Sequence, residues 1–105
     1  MKEITVLELK EKLDNQEDIQ VIDVRKEYEY KIVNIGSTLI PKSEIETQLD
    51  KIRRDVPVIL LCRSGERSAS VLQRLEKKYD FDNLYNLKGG ILAYADQIDT
   101  SLTKY

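Results

Sequence analysis

Val58-Ile59-Leu60-Leu61 is the most hydrophobic segment of the chain, and it constrains the fold more than any other. Four consecutive large aliphatic residues do not alternate with polar ones, so the segment reads as a central strand covered on both faces, the signature of a buried parallel sheet. With Cys62 added the run is still far shorter than the roughly 18 residues a membrane-crossing helix needs. Immediately afterwards the chain turns polar, in Cys62-Arg63-Ser64-Gly65-Glu66-Arg67-Ser68. The strand is therefore expected to deliver Cys62 to its C-terminal end.

The rest of the chain supplies neighbours for such a strand. Thr5-Val6-Leu7-Glu8 reads as a capping box, with Ile4 and Leu9 as a hydrophobic staple and Val6, Leu9 and Leu13 on one helical face. Ile19 to Val24 reads as a second buried strand, and a short charged helix is expected at Lys26 to Lys31. Thr38-Leu39-Ile40 is a further short strand stopped by Pro41, and Ser43 to Glu46 reads as a second capping box opening a helix with Ile45, Leu49 and Ile52 on one face. After the loop Arg63 to Arg67, the residues Ala69, Val71, Leu72, Leu75 and Tyr79 form the apolar stripe of an amphipathic helix. Leu84 to Leu87 is a last strand, Gly89-Gly90 a turn and Ile91 to Ile98 a last short helix. Strands alternating with helices imply an α/β fold, a small parallel sheet flanked by helices on both faces, and 105 residues suit one domain over 1–105. Ligands of such sheets bind beyond the carboxyl ends of the strands, where Cys62 lies.

Composition removes several classes of function. The chain has no histidine and one cysteine, which excludes Cys-His and Ser-His-Asp catalysis, an internal disulfide and most zinc sites. Net charge is −2 with acidic and basic residues interleaved, so there is no basic stripe for nucleic acid. No segment reads as a signal peptide or membrane span. A cytoplasmic, monomeric protein without metal or cofactor is the expectation. Its chemistry must rest on a lone thiol, carboxylates, Lys, Arg, Tyr, hydroxyls or backbone amides.

A lone cysteine is ordinarily a small buried hydrophobe. The residues after Cys62 argue for more, because a Gly-containing loop between strand and helix can turn successive N–H groups inward and forms an anion nest at the positive end of the helix. Thiolate and bound anion are both favoured there, and Arg63 and Arg67 add positive charge. Cys62 becomes a candidate nucleophile without any histidine.

Four segments taken together resemble the rhodanese family: Val21-Ile22-Asp23-Val24-Arg25, then Asn34-Ile35-Gly36 with Ile40-Pro41, then Cys62 to Ser68, then Leu87-Lys88-Gly89-Gly90-Ile91. They occur in the family's order over nearly the whole chain, and the tail from Leu87 to Tyr105 is similar to the rhodanese domain at the C-terminus of adenylyltransferases that activate sulfur-carrier proteins. The resemblance implies a sulfurtransferase. Cys62 would take a sulfane sulfur from thiosulfate or a persulfide donor, hold it as a persulfide, and pass it to a thiol, a sulfur carrier or another nucleophile. Arg63, Ser64, Gly65, Glu66 and Arg67 would surround the donor, while Asp23, Arg25 and Ser68 would give structural support. Asn34 stands where the family often has His, and Tyr94 replaces a common Trp.

Two other readings compete. A non-catalytic interaction module on the same fold is one, since fold does not fix function. A cysteine-dependent phosphatase or arsenate reductase is the other, but it would place Arg one position later, where this chain has Ser68.

Overall fold

The computed structural model describes residues 1–105. Five strands form one sheet: β1 (Glu3–Ile4), β2 (Gln20–Asp23), β3 (Thr38–Leu39), β4 (Val58–Leu61) and β5 (Leu84–Leu87). Their order is β1-β5-β4-β2-β3 and every pairing is parallel. β4 is central, with Val58 beside Leu84 on one side and Gln20 on the other. The four helices are α1 (Val6–Asp14), α2 (Glu27–Ile32), α3 (Glu66–Tyr79) and α4 (Gly90–Gln97). None is long and apolar enough to cross a membrane.

The pleat of β4 divides the core in two, as side chains alternate between the faces of a strand. Val58, Leu60 and Cys62 join Val71, Leu72 and Leu75 of α3 on one face. Ile59 and Leu61 join Leu9 of α1 and Ile91 and Tyr94 of α4 on the other. All four side chains of β4 are fully buried, each contributing on the order of 1.5–3 kcal/mol relative to an exposed one.

α1 starts as its sequence dictates. The Glu8 N–H donates to Thr5 Oγ1 at 3.1 Å and the Thr5 N–H donates to Glu8 Oε1 at 3.0 Å, while Ile4 and Leu9 are buried in one cluster. The buried face of α3 is Ser68, Val71, Leu72 and Leu75, a spacing of three, one and three that repeats each turn. Ser68 thus heads the stripe in place of Ala69, which is half-buried. α3 ends at Asp80, whose φ of 59° turns the chain out of the helix.

Two expectations need correction. The segment after Ser43 is not an α-helix but two short 3-10 turns, Ile45–Thr47 and Leu49–Lys51. Glu46 makes no capping box, because its carboxylate faces α3 and accepts from Arg74, from Lys78 Nζ at 3.0 Å and from Tyr79 Oη at 2.7 Å. Those donors hold its carboxyl at about 2, well below the ordinary glutamate range. The loop after Cys62 is also shorter than Arg63 to Arg67: α3 already begins at Glu66, so Glu66 and Arg67 lie in its first turn.

Candidate active site

Cys62 follows β4 directly and is 1% exposed. Its Sγ lies 3.1 Å from the Gly65 N–H nitrogen, 3.3 Å from the Ser68 nitrogen and 3.2 Å from Ser68 Oγ. The chain reaches this arrangement by a bend at Gly65, where φ is +104°, a region that favours glycine. Only with that bend can an amide three residues after the cysteine turn back to its sulfur.

A second element fixes the loop from behind. The first turn of α4 donates to it, Ile91 N–H to the Cys62 carbonyl at 2.9 Å and Leu92 N–H to the Arg63 carbonyl at 3.1 Å. Gly90 makes that approach possible, since a Cβ there would stand 2.5 Å from both carbonyl oxygens. With its carbonyls turned to α4, the loop leaves its own N–H groups for the other side. Those of Arg63, Ser64, Glu66 and Arg67 donate to no protein acceptor. The positive end of the fourteen-residue α3 adds to the same field.

The expected site residues fall into distinct environments. Arg63, Ser64 and Glu66 are exposed at the mouth of the loop, and the Arg63 guanidinium lies 5.9 Å over the Tyr105 ring. Gly65 and Ser68 are buried against the sulfur. Arg67 turns aside to α2, where its Nη1 and Nη2 donate to Glu29 Oε1 and Oε2 at 2.7 and 2.9 Å. The Arg67 guanidinium, followed by the Lys26 N–H, holds the Glu29 carboxyl at about 2, and Glu29 in turn raises the Arg67 value.

Asp23 and Arg25 lie beneath this layer, both 0% exposed. Arg25 Nη2 donates to Asp23 Oδ2 at 2.8 Å and to the Val33 carbonyl at 2.6 Å, and Nε donates to Asp23 Oδ1 at 3.0 Å. The pair ties the end of β2 to the end of α2. A buried charge pair satisfied in this way costs several kcal/mol when one partner is removed, because the other is left uncompensated.

Sequence reasoning missed two residues of the site. Glu29 looks like a surface charge on a short helix, yet it is 4% exposed and meets Arg67 across 38 positions. Asn86 sits inside β5, 3% exposed, where its Nδ2 donates to the Gly65 carbonyl at 3.1 Å and its Oδ1 accepts from Ser68 Oγ at 2.6 Å. A polar residue between Tyr85 and Leu87 in an otherwise apolar strand is the one clue that could have flagged it.

Two open hollows flank Arg67. One of about 340 Å³ is lined by Lys26, Tyr28, Glu29, Arg63, Arg67 and Tyr105. The other, of about 430 Å³, includes Lys26, Lys42, Glu46 and Arg67. Lys26, Lys42 and Arg63 have no ion-pair partner, so the rim carries three free cations.

The family model of the rhodanese-like domain matches residues 5–97. The chain belongs to the rhodanese-like domain family. The rhodanese-like relatives agree in fold and sequence: a rhodanese-like domain protein from Staphylococcus aureus superposes with a TM-score of 0.82 at 32% identity, covering 93% of this chain and 95% of that one. Among whole proteins, the probable adenylyltransferase/sulfurtransferase MoeZ of Mycobacterium tuberculosis is 40% identical over 105 residues, and the adenylyltransferase and sulfurtransferase UBA4 of Eremothecium gossypii is 32% identical over 95. This rhodanese-like chain spans only 26% and 21% of their lengths.

Proposed function

We propose that the chain is a sulfurtransferase that carries a sulfane sulfur on Cys62. The observation that carries this reading is the pair of backbone donors on Sγ, Gly65 N–H and Ser68 N–H, with four more N–H groups that have no protein acceptor in the loop and the first turn of α3. An inert core cysteine has no use for two backbone amides turned onto its sulfur. A persulfide has one, because its outer sulfur carries negative charge.

The reaction divides into two displacements. The Cys62 thiolate attacks the outer sulfur of thiosulfate, the donor's S–S bond breaks, and sulfite leaves with the electron pair. Cys62–S–S⁻ remains. An acceptor thiolate then attacks the outer sulfur, the bond to Cys62 breaks, and the acceptor departs as a persulfide while the Cys62 thiolate is restored. The loop amides stabilise charge on the outer sulfur in both steps, and Lys26, Lys42 and Arg63 favour an anionic donor at the mouth. With no second cysteine to collapse the persulfide into a disulfide, the acceptor is external, a thiol or a protein sulfur carrier.

The test is intact mass after incubation with thiosulfate. The wild type should gain one sulfur atom, lose it to a reducing thiol, and differ from Cys62→Ala, which gains nothing. The near-complete burial of Cys62 favours a second reading, a non-catalytic interaction module, under which the wild type would gain nothing either. Phosphatase chemistry has less support: Ser68, where that class would have its Arg, faces the sulfur, and Arg67 is held by Glu29. Hydrolysis of an aryl phosphate at a rate comparable with sulfur transfer to cyanide would reverse this order.

A further inference from the structure

Ser68 Oγ stands between two partners, Cys62 Sγ at 3.2 Å and Asn86 Oδ1 at 2.6 Å, and all three residues are at most 3% exposed. A hydroxyl has one proton to give and two lone pairs. The Asn86 amide cannot supply another proton, because its NH₂ group donates to the Gly65 carbonyl, and the flipped amide would set two carbonyl oxygens 3.1 Å apart. Oδ1 therefore faces Ser68 and only accepts. When the hydroxyl proton lies on Asn86, the sulfur meets a lone pair of Ser68 and is matched as the S–H donor. A hydroxyl turned to a thiolate would add a third donor to the sulfur and leave Asn86 Oδ1 buried without one.

We infer that Asn86 is a positioning residue that competes with Cys62 for the Ser68 hydroxyl proton. While the hydroxyl proton lies on Asn86, the sulfur is left with the two backbone donors, Gly65 N–H and Ser68 N–H. Asn86 touches neither donor nor acceptor and acts through Ser68. The inference deepens the sulfurtransferase reading but does not need sulfur transfer to be measured, since it concerns the free thiol.

Two readouts on the purified chain test it: the ultraviolet absorbance of the thiolate, and the rate of Cys62 alkylation by iodoacetamide, both at one neutral pH. Asn86→Leu, similar in size and without the acceptor, should show more thiolate and alkylate roughly three- to tenfold faster, the scale of one ordinary hydrogen bond. Ser68→Ala should abolish that gain, so that Ser68→Ala and the double variant alkylate alike. Asn86→Ala, read in the same way, replaces Asn86→Leu should the latter not fold. Slower alkylation without Asn86, or an equal gain whether Ser68 is present or absent, overturns the inference and leaves Asn86 as a brace of the Gly65 loop. Persulfide formation is followed separately by mass, so failure of the sulfurtransferase reading would show as no gain of sulfur in the wild type, whatever the alkylation rates.

Discussion

Arg67 and Glu29 meet at two points, Nη1 to Oε1 at 2.7 Å and Nη2 to Oε2 at 2.9 Å, and so lock the first turn of α3 to α2 beside the cysteine loop. The Arg67 guanidinium holds the Glu29 carboxyl at about 2 instead of the ordinary 4.5. A folded value below the unfolded one stabilises the protein above the unfolded value, and that stability is lost as pH falls towards the folded value. Glu29→Gln should therefore cost about 1–3 kcal/mol at neutral pH, Arg67 being partly open to solvent. Urea unfolding of both proteins should show the difference shrinking between pH 4.5 and about 2. A difference that stays constant through that window would mean the loss comes from packing, not from charge.

Gly90→Ala should damage the site more than its size suggests. The new methyl would meet the carbonyl oxygens of Cys62 and Arg63 at 2.5 Å, and φ at this position is +60°. Both atoms are backbone, so the loop or α4 must move. The expected cost is about 2–4 kcal/mol in unfolding free energy, together with loss of persulfide yield measured by mass. Unchanged yield in a folded variant would show that the α4 contact does not orient the loop.

The rim cations should act on the rate of donor capture. Arg63→Glu changes a free positive charge at the loop mouth to a negative one. The second-order rate of loading by thiosulfate should fall on the order of two- to fivefold at low ionic strength, with the gap closing as salt rises. A neutral, salt-insensitive result would place the donor's path elsewhere, past Lys42.

Thr5→Ala provides the converse case, a change in stability that leaves chemistry alone. It removes the oxygen that accepts from the Glu8 N–H and should cost about 1 kcal/mol in thermal or urea unfolding. Sulfur loading per folded molecule should match the wild type, because Thr5 touches none of the groups around Cys62. Impaired loading at full folding would show that α1 bears on the site.

These cases separate what the sequence reveals from what it hides. The capping box at Thr5, the buried run at Val58–Leu61 and the placing of Cys62 at its end depend on residues adjacent in the chain, so local pattern suffices to find them. The Ser43 to Glu46 pattern is as good locally as the one at Thr5, yet fails, because Arg74, Lys78 and Tyr79 of a distant helix take the carboxylate the cap would need. Glu29 and Asn86 are hidden for the same reason. Each is defined by a partner many positions away, Arg67 for one and Ser68 for the other, and no periodicity encodes such a meeting. Arg67 was legible as a cation beside the cysteine, but that it spends its donors on Glu29 was not.

The bonds from Ile91 and Leu92 to the carbonyls of Cys62 and Arg63, with that from Asn86 to Gly65, all originate C-terminal to the loop they hold. During synthesis Cys62 emerges before any of them. Until β5 and α4 have docked, the loop carries only its own amides, those of Gly65 and Ser68, to the sulfur, and nothing holds its carbonyls from behind. A chain cut off before Asn86 lacks all three of these donors, and should gain less sulfur by intact mass even though it keeps Cys62 and its loop.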